Sequence, residues 1–215
     1  MKNYKIKKMV LLGMLAALSY LAVMLIQIPV VGFLKYEPKD VIVTIAGFLF
    51  DPLTAMVISL AVSLLEMVTV SSTGIIGCIM NFISTCAFAC TASWIYKKHR
   101  SQSGALIGLI AGSGVMVVIM LLWNWLLTPL YMDAPRSQVV QMLLPVFLPF
   151  NLLKAGLNSA LTMLIYKPVS RSLRKARLLP PSSAPVKMSR LWISLLAGVV
   201  GIICIVTILF FQGIL

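Results

Sequence analysis

The chain has 215 residues, 60% of them hydrophobic and only 11% charged, less than half the roughly 25% charge of a soluble domain. Its net charge of +13 does not point to nucleic acid, because the lysines and arginines gather between apolar spans, the arrangement that orients a membrane protein. The composition predicts an all-α polytopic membrane protein and excludes a soluble globular domain.

Taken in chain order, basic residues 1–8 lead into an apolar run over 9–28. That run is longer than the 7–15 residues of a signal-peptide core and has no small-x-small cleavage site, so it reads as a retained first span. Gly13 and Ala17 lie four apart on one of its faces, continued by Leu21. Small residues at this spacing let helices approach closely in lipid, either within the bundle or against a partner. The loop that follows, 30–40, has an apolar front half suited to a lid, and Asp40 is placed to cap the next helix. Residues 40–69 are too long for one crossing of a core about 30 Å thick. Asp51-Pro52 is expected to split them into two short helices, since proline disfavours helix at the residue before it.

Further spans are expected over 74–96, 104–127 and 141–166, six in all through residue 166, with a seventh over 191–213. The resulting domain plan is a membrane bundle over 1–170, a basic Pro/Ser-rich linker over 171–190, and the extra helix over 191–215. If the N-terminus is cytoplasmic, segments 1–8, 97–103 and 167–190 hold fourteen of the eighteen basic residues. Lys35, Lys39 and Arg136 fall in outer loops, and Lys154 lies within the membrane. That excess predicts a multi-pass protein of the cell membrane with its N-terminus inside.

Lys154 carries most of the functional signal. A mid-membrane lysine costs about 2.5–3.5 kcal/mol on insertion scales and needs a partner. Asn151 and Asn158 stand on the same helical face. Asn124, in Trp123-Asn124-Trp125, is not required by an interfacial aromatic belt. With Asn151 and Lys154 it could line a cavity for a flat, neutral heteroaromatic ligand. The competing reading pairs Lys154 with Glu66, the one carboxylate inside an apolar span, as a purely structural ion pair. Four dispersed cysteines and a single histidine, His99, offer no metal site. There is no phosphate-cradling GxxxxGK[ST] loop, HExxH or GxSxG, so no catalytic role is expected.

Five stretches carry a family resemblance: LKYEPKDV (34–41), GFLFDP (47–52), SSTG (71–74) followed by Asn81-Phe82, NWLLTPLY (124–131) and LPFNLLKAGLN (148–158). In this order they resemble the substrate-binding S components of energy-coupling factor (ECF) transporters, and among them the riboflavin-specific members. The resemblance implies a six-helix bundle that takes up riboflavin as transported ligand, without a cofactor. It implies joint work with a transmembrane coupling subunit and two cytoplasmic ATPases. It assigns flavin contacts to Asn124, Asn151 and Lys154, brings Tyr36, Asn81, Thr128 and Tyr131 into the same site, and makes Gly13 and Ala17 the docking face for the coupling subunit. Residues 30–39 become the lid. Asp51 stands where the family has glycine, Glu66 where it has a basic or amide residue, and the linker and seventh span lie outside the six-helix plan. An S component for another vitamin or a modified flavin, and a non-transporting scaffold, are the alternatives.

Overall fold

The computed structural model describes residues 2–31, 34–70, 74–132 and 135–179, without the side chains of 2–4, 131 and 132. The expected seventh span and most of the expected linker lie outside the described residues. Seven α-helices account for most of the rest: α1 (Lys2–Leu25), α2 (Lys39–Leu49), α3 (Pro52–Thr69), α4 (Gly74–Lys98), α5 (Gln102–Met132), α6 (Arg136–Met142) and α7 (Leu148–Lys175). A π-helical turn, Leu143–Phe147, joins α6 to α7. Pro145 within it has no N–H to donate, and a wider turn accommodates the interrupted ladder. Since α7 continues to Lys175, the first residues of the expected linker belong to the helix.

The split at Asp51-Pro52 has a clear local cause. Asp51 is extended, its side chain accepts the Thr54 amide at 2.8 Å, and Pro52 occupies the first turn of α3, where its missing N–H costs nothing. Lys8 of α1 adds an ion pair to Asp51 at 3.3 Å. With 11 residues, α2 is only about 16 Å long and does not cross a bilayer core by itself. Five helical stretches among the described residues are long and apolar enough to do so.

Between α1 and α2 the chain forms an element that periodicity did not predict. Residues Ile28–Val31 (β1) and Leu34–Tyr36 (β2) pair antiparallel, with Ile28 opposite Tyr36 and an irregularity between Pro29 and Val31. Alternation turns Leu34 and Tyr36 inward and Lys35 outward. Leu34 joins Val139, Phe147 and Phe150 in a small apolar cluster, so the hairpin plugs into the bundle.

Two kinds of packing hold the helices. α4 and α5 meet backbone to backbone: a Cβ on Gly108 would lie 2.6 Å from the Ala92 carbonyl oxygen, and one on Gly112 2.5 Å from that of Phe88. Gly104, Gly108 and Gly112 repeat the four-residue spacing that marks close helix contacts in lipid. At the basic end, Phe48, Tyr96 and Tyr166 close the interior. Tyr166 meets the other two rings edge-on at 5.4 and 5.7 Å, and the two phenol oxygens are 2.9 Å apart. On α1, Leu11, Leu15 and Val23 are buried, whereas Gly13, Ala17 and Leu21 are exposed, with nothing within 4 Å of a Cβ placed on Gly13. This small-residue face therefore does not pack within the described bundle.

Candidate functional site

At the end away from the aromatic cluster, a cavity of about 160 Å³ opens between α3, α4, α5, α7 and the hairpin. Its walls differ in chemistry. On one side α5 and α7 present Asn124, Thr128, Asn151 and Lys154, with Trp123 and Phe150 as apolar surface. Each asparagine is held by its own helix: the Asn124 amide donates to the Met120 carbonyl and the Asn151 amide to the Phe147 carbonyl, both at 2.7 Å. Thr128 donates to the Asn124 side-chain oxygen at 2.9 Å. Both asparagines are buried, so the amides face the interior of the bundle rather than lipid. On the other side stand Glu37, Glu66, Asn81 and Ser84.

Lys154 does have an acidic partner, and it is not Glu66. Its ammonium lies 3.4 Å from Asp40 Oδ2. Asp40 is completely buried and accepts from Thr85 at 2.6 Å and from the Asn158 amide at 3.1 Å. Tyr36 of the hairpin donates to the Asn158 side-chain oxygen at 3.0 Å. The expected capping role for Asp40 is thus replaced by a central one: Pro38 precedes α2, and the carboxylate joins α2, α4 and α7 in one hydrogen-bonded network. An ammonium and two hydrogen-bond donors on one carboxylate are what let the charge persist in an apolar interior.

Glu66 pairs instead with Lys39, whose ammonium reaches both carboxylate oxygens at 2.6 and 2.5 Å, and Asn81 donates to the same group at 2.8 Å. Glu37 lies 3.7 Å from the same ammonium. Reading Lys39 as an outer-loop orientation charge is corrected here, because it is 1% exposed. Its side chain points inward from the first turn of α2, and Glu66 is the reason it can.

Of the residues singled out in the sequence, Asn81, Asn124, Thr128, Asn151 and Lys154 share this cavity. Tyr36 lies under it, in the Asp40 network. Tyr131 belongs to α5, but its side chain is outside the described residues. Sequence reasoning missed Lys39 and underrated Asp40. An interior lysine implies a carboxylate close by, and Lys39-Asp40 at the head of an apolar helix was the available signal. Among the described residues no group of three His, Cys, Asp or Glu side chains comes together to hold a metal.

With this geometry in place, comparison with known proteins assigns the class. The family described as "ECF transporter, substrate-specific component" matches residues 7–166, which take in the cavity and the whole Asp40 network. The riboflavin transporter FmnP of Bacillus subtilis is 27% identical over 174 residues, covering 75% of this chain and 91% of that protein. The riboflavin transporter RibU of Streptococcus thermophilus is 28% identical over 180 residues, covering 79% and 85%, and RibU of Staphylococcus aureus is 26% identical over 177 residues, covering 79% and 93%. A solved structure described as "Structure and mechanism of the S component of a bacterial ECF transporter" superimposes with a TM-score of 0.67 at 27% identity, over 79% of this chain and 99% of that one. The chain belongs to the family of ECF transporter substrate-specific components, multi-pass membrane proteins of transport and not enzymes.

Proposed function

We propose that this chain is a riboflavin-binding S component, capturing the vitamin on the outer side of the cell membrane with its N-terminus in the cytoplasm. The observation that carries the reading is the cavity wall of Asn124, Asn151 and Lys154 beside Trp123 and Phe150. A flat ring rimmed by carbonyl and imine acceptors needs donors at its edge and apolar or aromatic surface on its faces. An ammonium whose charge Asp40 already balances supplies a donor without leaving a net charge facing a neutral ligand. The relatives' names point to the same vitamin.

At about 160 Å³ the cavity is smaller than the roughly 300 Å³ at which small-molecule pockets begin. Entry of a tricyclic ring therefore requires the β1–β2 hairpin to move outward, which makes it the lid. Leu34, Lys35 and Gln27 line the cavity from this side, and the Leu34 cluster is the contact that must part. The exposed Gly13–Ala17 face of α1 fits docking to a transmembrane coupling subunit, itself driven by two cytoplasmic ATPases. The scaffold alternative rested on a Lys154–Glu66 pair, and the two residues have different partners.

Tryptophan emission tests the reading, because Trp123 lines the cavity. Riboflavin added to purified protein should quench it saturably, and Lys154→Met, which lowers the melting temperature by leaving buried Asp40 without its ammonium, should abolish the response in the protein that remains folded. Quenching by an unrelated vitamin, with none by riboflavin, would move the assignment to another S component.

A further inference from the structure

The wall opposite the amides has a charge pattern that neither ring binding nor helix packing requires. Glu37 and Glu66 both line the cavity and share one ammonium, that of Lys39. Lys39 is buried behind them and does not itself line the space. On the amide side Lys154 is balanced by Asp40, which is buried behind it, and the remaining lining cation, Lys35, is exposed at the rim with its ammonium on Gln27 at 3.0 Å. Two carboxylates on one ammonium leave this wall with a net negative charge facing the ligand.

Resting on the riboflavin reading above, we infer that Glu66, seconded by Glu37, is the specificity-determining group that receives the ligand's hydroxyl chain and rejects its phosphorylated form. A carboxylate has about four lone-pair sites. The bonds to Glu66 from Lys39 and Asn81 use three of them, leaving capacity for an incoming hydroxyl. A polyol donates into such a group. A phosphate, carrying about −1.5 to −2 charge and acceptor oxygens, presents only repulsion and unmatched acceptors. Like charges brought together at a binding surface exclude a partner more effectively than missing contacts do. The amide wall reads the ring, and the acid wall reads what is attached to it.

The test compares riboflavin, flavin mononucleotide and lumiflavin, which lacks the hydroxyl chain, by fluorescence titration of wild type, Glu66→Gln and Glu37→Gln. Wild type should prefer riboflavin to the mononucleotide by roughly a hundredfold, and each substitution should narrow that ratio by about tenfold or more. Lumiflavin affinity should change little in either variant, which separates loss of the acid wall from general damage to the pocket. Equal affinity of wild type for riboflavin and its phosphate, or a ratio unmoved in both variants, overturns the inference while leaving the riboflavin reading intact. Failure of wild type to bind riboflavin removes both. Should Glu66→Gln not fold because Lys39 loses its main partner, Glu37→Gln decides the question alone, its side chain being partly exposed.

Discussion

The two faces of α4 solve the problem of packing in lipid in opposite ways. Toward α5 the contact is nearly pure backbone, with Gly108 and Gly112 set against the carbonyls of Ala92 and Phe88. Toward α2 and α7 the same helix offers Thr85 to a buried carboxylate that also holds Lys154 and Asn158. The first interface needs only shape. The second places costly charge in an apolar interior and recovers the cost through mutual satisfaction. The charged interface borders the cavity, so polar chemistry is concentrated where a ligand enters and the opposite side serves as a rigid support.

Substitutions should separate the two interfaces, and the largest effect belongs to the charged one. Asp40→Ala strands Lys154 and leaves Thr85 and Asn158 without their acceptor. A loss on the order of 3–5 kcal/mol is expected, read as a lower melting temperature in detergent together with loss of riboflavin quenching. Gly108→Leu should cost about 1–3 kcal/mol by overpacking, lowering the melting temperature while the folded fraction binds riboflavin as wild type does. An equal loss of affinity from Gly108→Leu would show that the support and the site are not separable. Asn124→Ala should weaken riboflavin by about 1–3 kcal/mol, and because Thr128 loses its acceptor it should also lower the melting temperature, though less than Asp40→Ala does.

The smallest effect lies outside both interfaces, at the turn between α2 and α3. Burial of the Asp51 carboxyl acts to raise its pKa, but the Thr54 hydrogen bonds and Lys8 outweigh it and hold the group below its ordinary value of 3.8. A carboxylate depressed on folding stabilises the protein above its unfolded pKa, and that stabilisation disappears as pH falls through the folded value. Asp51→Ala should thus cost about 1 kcal/mol at neutral pH, a penalty visible in melting temperature that shrinks once the pH drops below 3.8.

Much of this division was legible in the sequence. The apolar spans placed α1, α4, α5 and α7, and Asp51-Pro52 marked the break because proline acts locally. Lys154 declared that a partner existed, since an unpaired ammonium in lipid is too costly. Which acid it met was not legible: Glu66 and Asp40 are both interior, and only the fold shows that α2 brings Asp40 beneath α7 while Lys39 turns to Glu66. Lys39 was misread because a lysine two residues before an apolar run is normally solvated. The hairpin was missed because seven strand residues interrupted by Gly32-Phe33 are too few to show a period of two. The Gly104-Gly108-Gly112 spacing was readable by the rule applied to Gly13 and Ala17, and the two series end differently: the longer packs inside the bundle and the shorter is exposed on the described bundle.

The central claim is that the donor wall of Asn124, Asn151 and Lys154 exists to hold a flavin ring. The visible absorption spectrum of the purified protein, taken after riboflavin exposure and gel filtration and again after denaturation, tests it most directly. A flavin band that travels with the folded protein, is released on denaturation and is absent from Lys154→Met is the predicted result. A wild-type protein that emerges folded and colourless would contradict the claim.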